Sequence, residues 1–308
     1  MKEKRIKIAV VGDVHQLWND YDAEALEFLG VDLVLFVGDF GNEDVEVVRK
    51  IAELPLPKAA ICGNHDAWYT ATEWGRRKCP YNRNVEDRVQ IQLDLLGECH
   101  VGYSYLDFPQ FNLTVVGSRP FSWGGGEWKC EEFYRQRYGV NNFNESVAKI
   151  LESVSRARYN NVIFIGHNGP FGLGDKPEDS CGRDWQPLGG DFGDPDFQRA
   201  IILTREMGKV VPLVAFGHMH HTLRHTKERL RTIVNIDQEG TVYLNAAATP
   251  RIQEGVHKFS VVHIVDEKVE KINLIGINET MEIIEKRSLF QASSPPPLRE
   301  MSLANCCF

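Results

Sequence analysis

Five apolar runs of the chain each end at a glycine that is followed by polar side chains able to bind a metal ion or a phosphate. These side chains are carboxylates, imidazoles and one amide, which suit Mn, Fe, Zn or similar divalent ions, and no cysteine lies among them to favour a structural zinc site. One glycine–polar pair is a weak signal, whereas five in succession predict a metal site. The candidates are Asp13, His15, Asp39, Asn64, His65, His167, His218 and His220.

The apolar runs that precede these residues are unbroken rather than alternating, which is typical of strands buried on both faces. Helical patterns lie between several of the runs: NDYDAEALEFLG ends at Gly30, NEDVEVVRKIAEL begins at Asn42, and GDPDFQRAIILTREMG has Asp194 as a cap and Pro195 at its first position. The alternation predicts an α/β fold. The polar groups would then meet beyond the carboxyl ends of the strands, where such sheets bind ligands.

The pattern changes from about Arg231 onward, where short strand-like pieces follow one another without intervening helices. We expect this part to be antiparallel. The stretch 288–308 is polar and contains SSPPP, a composition typical of disordered chain. We find no internal repeat and no linker, so residues 1–287 are predicted to form one domain.

The ordered motifs GDVH, GD, GNHD, GH and GHMH resemble those of the calcineurin-like metallophosphoesterase superfamily, over the chain from Lys7 to Asn245. The resemblance implies a two-layer mixed β-sandwich flanked by α-helices, with two metal ions at one edge. It further implies that Asp39 bridges both ions, that His65 contacts the phosphate or protonates the leaving oxygen, and that Asp66 orients the His65 ring. The implied ligands are Asp13, His15 and His220 for the first ion, and Asn64, His167 and His218 for the second.

The activity implied is hydrolysis of a phosphomonoester or phosphodiester of a small molecule or nucleotide, by attack of a metal-bound hydroxide. Two cations can lower the pKa of a water molecule and hold the attacking and leaving oxygens of a displacement at phosphorus. The Asp-Arg-Gly motif of the protein Ser/Thr phosphatases is missing after Asp39, so phosphoproteins are less favoured as substrates. Two alternatives stay open: a nuclease of the same superfamily, and a binding scaffold that has lost catalysis, as one retromer subunit resembling this superfamily has.

Three arginines lie in or near the loops expected around the site and could make bidentate contacts to phosphate: Arg119, Arg183 and Arg251. Arg119 ranks first because it directly follows a strand-like run. Two long segments rich in glycine and aromatic residues, 117–140 and 169–194, read as insertions. We expect each to be either a cap over the site or a surface loop packed on its own tryptophans.

Charge and composition exclude some classes of function. The net charge of -8 disfavours a dedicated nucleic-acid-binding surface, so nucleic acid is not the expected partner. No apolar stretch approaches the ~20 residues of a membrane span, and the start of the chain lacks a signal h-region. The seven cysteines are scattered without a C-x-x-C pair, which predicts reduced thiols in the cytoplasm, with the Cys306–Cys307 pair as a possible lipidation site.

Overall fold

The apolar runs form buried strands, and the computed structural model describes residues 4–292 of the chain. Within that range the strands are β1 (Arg5–Val11), β2 (Leu33–Phe36), β3 (Lys58–Ala60), β4 (Tyr105–Phe108), β5 (Leu113–Gly117), β6 (Val162–Ile165), β7 (Leu213–Phe216), β8 (Val234–Ile236), β9 (Val242–Asn245), β10 (Ile252–Gln253), β11 (Val256–Val265), β12 (Lys268–Asn278) and β13 (Ile283–Gln291). The helices are α1 (Asp20–Leu29), α2 (Val45–Glu53), α3 (Glu73–Lys78), α4 (Arg88–Leu96), α5 (Glu131–Tyr138), α6 (Phe143–Arg156) and α7 (Pro195–Glu206).

Two mixed sheets make up the centre of the fold. The first sheet has the order β13-β12-β11-β1-β2-β3, with β10 paired to the end of β11, and the second has the order β4-β5-β6-β7-β9-β8. Strands β1 to β3 are parallel in the first sheet, as are β5, β6, β7 and β9 in the second. The predicted α/β architecture with a mixed β-sandwich is confirmed.

The strands carry apolar side chains on both faces, and one face of each sheet packs against the other sheet. Ile8 and Leu35 of the first sheet join Ile163 and Leu213 of the second in one buried cluster. The opposite faces of the strands contact helices instead: Phe36 and Phe164, for example, belong to a second cluster that includes buried residues of the helices. The result is a sandwich flanked by helices, as the sequence predicts.

The helices begin and end close to the capping residues that the sequence predicts. Gly30 takes the left-handed conformation after α1, where glycine carries no Cβ penalty. Helix α2 begins at Val45, three residues later than expected, because the Asp44 carboxylate accepts the N–H of Val47 and caps the helix there. None of the helices in residues 4–292 has the length and apolar character needed to cross a bilayer.

The C-terminal part is antiparallel through β11, β12 and β13, as predicted. Strand β9 departs from that expectation because it pairs in parallel with β7. The predicted boundary at residue 288 also falls too early: Ser288 lies opposite Asn273, and β13 continues to Gln291 because its side chains still alternate against β12. The rest of the predicted tail, including Cys306 and Cys307, lies outside the described residues.

Candidate metal centre

The strand ends that carry the polar residues lie at one edge of the sandwich. In the first sheet, Val11 of β1 pairs with Phe36 of β2, which pairs with Ala60 of β3, so the three parallel strands end level with one another. In the second sheet, Ile165 of β6 pairs with Ala215 of β7. The loops that follow these strands therefore meet beyond the sandwich, as expected for parallel strands.

Backbone hydrogen bonds tie the loops together within each sheet. The N–H of His15 donates to the carbonyl of Asp39 at 2.8 Å, and the N–H of Gly217 donates to the carbonyl of His167 at 2.7 Å. Four residues of the cluster hold left-handed backbone conformations, with φ of 51° at Asp13, 44° at His15, 55° at Asp39 and 67° at His218. Such conformations cost about 1–3 kcal/mol each and concentrate at functional sites.

Two glycines allow the close approach of loop to carboxylate. A Cβ on Gly63 would lie 2.3 Å from Oδ1 of Asp39, and a Cβ on Gly217 would lie 2.3 Å from Oδ2 of Asp13. Any side chain at either position would displace a carboxylate of the cluster. Gly63 and Gly217 are thus required by the close approach of their loops to the carboxylates of the site.

The structure brings all seven predicted metal ligands together. The atoms that could bind metal lie within 4.8 Å of one another in the groups Asp13–His15–His220 and Asp39–His167–His218, and in a third group, His15–Asp39–His65. Asn64 joins the second group, since its Oδ1 lies 2.9 Å from Nε2 of His167. Asp39 belongs to two of the groups, which is the position that a bridging carboxylate requires.

The donor set fits divalent cations. Nε2 of His15 and Nε2 of His220 face each other at 3.2 Å, as do Nδ1 of His218 and Nε2 of His167. Oδ1 of Asp13 is buried and has no hydrogen-bond partner in residues 4–292, although it lies 3.3 Å from Nε2 of His220. Buried carboxylate oxygens and imidazole nitrogens that point at a common space without filling their hydrogen bonds are what a cation would satisfy.

The electrostatics of the cluster reflect its burial and its mixed charges. Burial opposes ionisation of Asp39, but His167, His65 and His15 together hold its pKa well below the usual range. Burial favours neutral His167, but Asp39 raises the pKa of that ring to about 9. Burial and neighbouring His167 lower the pKa of His218 to about 3. Without an ion the cluster therefore holds a proton on one imidazole of the facing pair, and protons compete with metal for this site.

His65 lies at the rim, on a short 3₁₀ helix that spans Asn64–Ala67. Its backbone N–H donates to Oδ1 of Asp39 at 2.8 Å, and its Nε2 lies 3.9 Å from Oδ2 of the same carboxylate. The ring is partly exposed, and burial lowers its pKa below the ordinary value. One edge of His65 thus faces the cluster, where it can meet a bound phosphoester.

Two residues that sequence reasoning missed hold the His65 ring. Nδ1 of His65 lies 2.5 Å from Oδ1 of Asn42, and the ring stacks on Trp68 with centroids 4.3 Å apart and an angle of 19° between the planes. Trp68 could have been found from its spacing, because residues three apart eclipse on a 3₁₀ helix. Asn42 gave no signal, since it is 23 residues away in sequence.

Asp66 does not orient His65, contrary to the expectation. Its buried carboxylate accepts the backbone N–H groups of Asp39 at 3.0 Å, Phe40 at 2.8 Å and Gly63 at 2.6 Å. A carboxylate that follows a strand end in a tight turn is nearest to the unpaired amides of that turn, and these saturate it. Asp66 therefore joins the loop of Asp39 to the loop of Asn64, and acts on the site through the backbone.

Arg119 is not available to a phosphate. Its side chain is 2% exposed, and its guanidinium donates to Oδ2 of Asp196 and Oδ1 of Asp194, both at 2.9 Å. The Asp194 carboxylate serves this pair and the hydroxyl of Ser122, so it does not cap α7 although it occupies the N-cap position. The expectation failed because a buried guanidinium requires negative partners, which are Asp194 at the end of the second insertion and Asp196 in α7.

Arg251 and Arg183 differ in the same respect. The Arg251 guanidinium is buried against the Asp22 carboxylate at 2.7 Å and the carbonyl of Leu17, so it also belongs to the interior. Arg183 lies half-buried, and its guanidinium has neither an ion pair nor a hydrogen bond within residues 4–292. Of the three predicted arginines, only Arg183 presents an unpaired cation.

Both insertions border the site and contact each other. Trp123 of the first insertion stacks on Trp68 with centroids 5.3 Å apart, which continues the row of rings that starts at His65. The N–H of Gly125 donates to the carbonyl of Phe192 in the second insertion at 2.8 Å. The second insertion starts at Gly169, two residues after His167.

Comparison with known proteins agrees with this geometry. The model of the family described as calcineurin-like phosphoesterase matches residues 6–222. One solved structure, 12% identical, covers 88% of this chain and 98% of its own chain with a TM-score of 0.52. A dimetal phosphatase from Danio rerio is 11% identical over 93% of this chain and 99% of its own, with a TM-score of 0.45. No curated protein matches the chain.

A purple acid phosphatase, PPD1, from yellow lupin (Lupinus luteus) seeds is 12% identical over 93% of this chain and 54% of its own, with a TM-score of 0.46. At these identities a likeness between structures concerns the fold alone. The family model carries the assignment, because it spans the strand ends from Asp13 to His220 in one match. The chain belongs to the calcineurin-like phosphoesterase family.

Proposed function

We propose that this protein hydrolyses a phosphomonoester or phosphodiester of a small molecule or nucleotide at a centre of two divalent cations. The observation that carries the proposal is the double membership of Asp39. Its carboxylate lies with His15 in one ligand group and with His167 and His218 in another. A single carboxylate between two sets of imidazoles suits a pair of cations better than one cation.

Cations at this site would supply a hydroxide at neutral pH and neutralise the phosphate charge. The protein's own contribution is placement. Asp13, His15 and His220 would hold one ion, and Asn64, His167 and His218 the other. Because the imidazoles are neutral ligands, the centre would keep net positive charge for an anionic ester.

His65 is the candidate for the proton that the leaving oxygen requires. Its Nδ1 donates to Asn42, which leaves Nε2 directed toward the cluster. A positioned acid of this kind typically accelerates ester cleavage by ~10²- to 10⁴-fold. Trp68 stacks on the ring and limits its rotation.

The charge of the protein favours a small substrate. The net charge of -8 disfavours a long nucleic acid, whereas a small phosphoester needs only the local positive charge of the centre. We place the activity in the cytoplasm, because each cysteine in residues 4–292 is a free thiol.

Elemental analysis and a substrate panel test the proposal together. The purified protein, loaded in turn with Mn, Fe, Zn, Ni or Mg, is assayed against mono- and diesters and against single-stranded DNA at several salt concentrations. We expect two ions per chain and turnover of small esters. Asp39→Asn should lose at least one ion and nearly all turnover. Full metal content and activity in Asp39→Asn would refute the centre, and salt-sensitive cleavage of DNA would favour the nuclease.

A further inference from the structure

A cavity of about 330 Å³ lies between the two insertions, apart from the metal cluster. The first insertion supplies Gly125, Gly126, Glu127 and Lys129, and the second supplies Arg183, Trp185, Gly190, Asp191 and Phe192. Neither the metal ligands nor His65 line it. Its lining combines two cations and two carboxylates with two aromatic rings and glycine backbone.

Arg183 is the residue of this pocket whose side chain lacks a partner in the described residues. Its guanidinium has no hydrogen bond, ion pair or ring contact in the described part of the chain, and its Nε is buried there. A buried polar group without a partner costs about 1–3 kcal/mol, more when charged. The buried arginines, Arg119, Arg231 and Arg251, are each paired with an aspartate. The pocket thus holds a guanidinium whose donors bond to no group of the described residues and whose fork matches a carboxylate or a phosphate.

None of the other charged groups that line the pocket in residues 4–292 forms an ion pair with Arg183. Lys129 donates to the carbonyl of Gly124 and lies 4.6 Å from the ring centroid of Phe192. Within the described residues it forms no ion pair with a carboxylate. The Asp191 carboxylate accepts the N–H groups of Gly172 and Gly193, both at 2.7 Å, and thereby fixes its own loop. Glu127 is exposed to solvent. Arg224 lies 5.3 Å from the ring centroid of Trp185, a residue that lines the pocket.

The walls of the pocket are joined to the residues that border the metal cluster. Gly124 and Gly125 directly follow Trp123, which stacks on Trp68 and through it on His65. On the other side, the Asn168 amide donates to the carbonyl of Phe192 at 2.9 Å, and Asn168 directly follows His167. The walls of the pocket and the border of the metal cluster are therefore parts of the same loops.

We propose that this pocket binds a second oxyanion of the substrate, a carboxylate or a phosphate distinct from the phosphoester that is hydrolysed. Arg183 is its main ligand, through paired N–H donors, and Lys129 adds charge from the opposite insertion. The proposal rests on the phosphoesterase function and narrows its substrate class to phosphoesters that carry another anionic group. It also gives the two insertions a role in substrate choice.

A series of alkyl phosphates tests the proposal. Each carries a terminal carboxylate or a terminal phosphonate on a chain of increasing length, and each is compared with the corresponding neutral carboxamide. At the length that spans the two sites, the anionic ester should exceed its carboxamide in kcat/KM by at least tenfold, roughly one charged hydrogen-bonded pair. The terminal group that gains more identifies the oxyanion as carboxylate or phosphate.

Arg183→Gln should abolish this preference through KM while leaving kcat/KM for the carboxamides unchanged. Lys129→Gln should reduce the preference from the other wall of the pocket. Arg156→Gln is the matched control, since Arg156 is an exposed arginine at the end of α6 and should retain the full preference. Equal kcat/KM for anionic and neutral esters at every length, or a preference that survives Arg183→Gln, would overturn the proposal.

A binding measurement separates this inference from the proposed function. The terminal carboxylate is placed on a phosphonate, whose P–C bond the protein does not hydrolyse, and its Kd is measured by calorimetry. Arg183→Gln should raise that Kd at least tenfold relative to wild type and to Arg156→Gln. If no ester is hydrolysed, the phosphoesterase function fails, and this ratio of Kd values still decides whether the pocket binds the second anion.

Discussion

Oδ1 of Asn42 lies 2.5 Å from Nδ1 of His65, so a neutral amide rather than a carboxylate holds the ring of the candidate acid. An amide fixes the direction of the ring without attracting positive charge to it. The chain places the carboxylate expected in this role, that of Asp66, on backbone amides instead. Proton donation by His65 therefore depends on a ring that is positioned by Asn42 and stacked on Trp68.

His65→Ala should keep both ions and lose activity in proportion to the basicity of the leaving group. Alkyl esters should lose about 10²- to 10⁴-fold in kcat, whereas a 4-nitrophenyl ester, whose phenolate departs unaided, should lose far less. Elemental analysis and kcat for both esters check this. An equal loss for the two esters would assign His65 to phosphate binding, and loss of an ion would make it a ligand.

Asn42→Ala should show a weaker form of the same pattern, because the His65 ring stays in place but loses its fixed direction. We expect a loss of about tenfold for alkyl esters and little change for the 4-nitrophenyl ester. Asn42→Asp, which retains an acceptor for Nδ1, should recover activity toward alkyl esters. A uniform loss for both esters in Asn42→Ala would mean that Asn42 acts on the loop rather than on the ring.

Asp66→Asn should destabilise the protein and leave the dependence on the leaving group unchanged. Its carboxylate accepts three short backbone hydrogen bonds from the loops of Asp39 and Asn64, and an amide can accept fewer. A buried N–H left without its acceptor costs about 1–3 kcal/mol, so the free energy of unfolding should fall by about that amount. Urea denaturation measures it. A stable variant with a selective defect on alkyl esters would instead restore Asp66 as a partner of His65.

Arg119→Met should lower stability strongly without raising KM for a simple phosphoester. The substitution leaves Asp194 and Asp196 buried without their common cation, for which about 3–5 kcal/mol is typical. Thermal unfolding and steady-state kinetics below the new Tm measure the two effects. An unchanged Tm together with a raised KM would support the original assignment of Arg119 to phosphate binding.

His100 should weaken the fold as the pH falls. Burial lowers the pKa of His100 to about 4, and its Nε2 has no hydrogen-bond partner in the described residues. The folded state therefore binds this proton less readily than the unfolded chain does. In the unfolded chain the pKa of His100 is near 6.5. The free energy of unfolding should therefore fall as the pH decreases from 6.5 toward 4, by up to about 1.4 kcal/mol per pH unit.

His100→Gln removes that titration, so its free energy of unfolding should vary less between pH 6.5 and 4 than that of the wild type. Urea denaturation at several pH values makes the comparison. Parallel pH profiles for the two proteins would show that His100 titrates alike in the folded and unfolded chains.

The cluster was predictable because its residues need only local signals. His167 and His218 each follow an apolar run and a glycine, and parallel pairing of β6 with β7 is enough to bring them together. Asn42 was not predictable, since its contact with His65 spans 23 residues and the loop that carries Asn42 holds left-handed conformations at Asp39 and Glu43. The backbone conformation of the loop decides which polar side chain reaches the His65 ring. That conformation cannot be predicted from the residue types one at a time.

Arg119 shows the second limit. A position just after a strand predicts a side chain near the site, and Arg119 does follow β5 directly. Its partners Asp194 and Asp196 are 75 and 77 residues away, at the start of α7. Sequence reasoning can identify where β5 ends and where α7 begins, but it does not show that the two ends meet, and their contact decides which buried charges pair.

The two halves of the metal cluster come from different sheets. Asp13, Asp39 and Asn64 follow strands of the first sheet, whereas His167 and His218 follow strands of the second. Ions bound between them would cross-link the sandwich, and because the ligand set exists only when both sheets are in place, the ions would bind the native state alone. By linkage, free metal at a thousand times its Kd would add about 4 kcal/mol to the stability of the native state, so the centre that carries the chemistry would also fasten one half of the fold to the other.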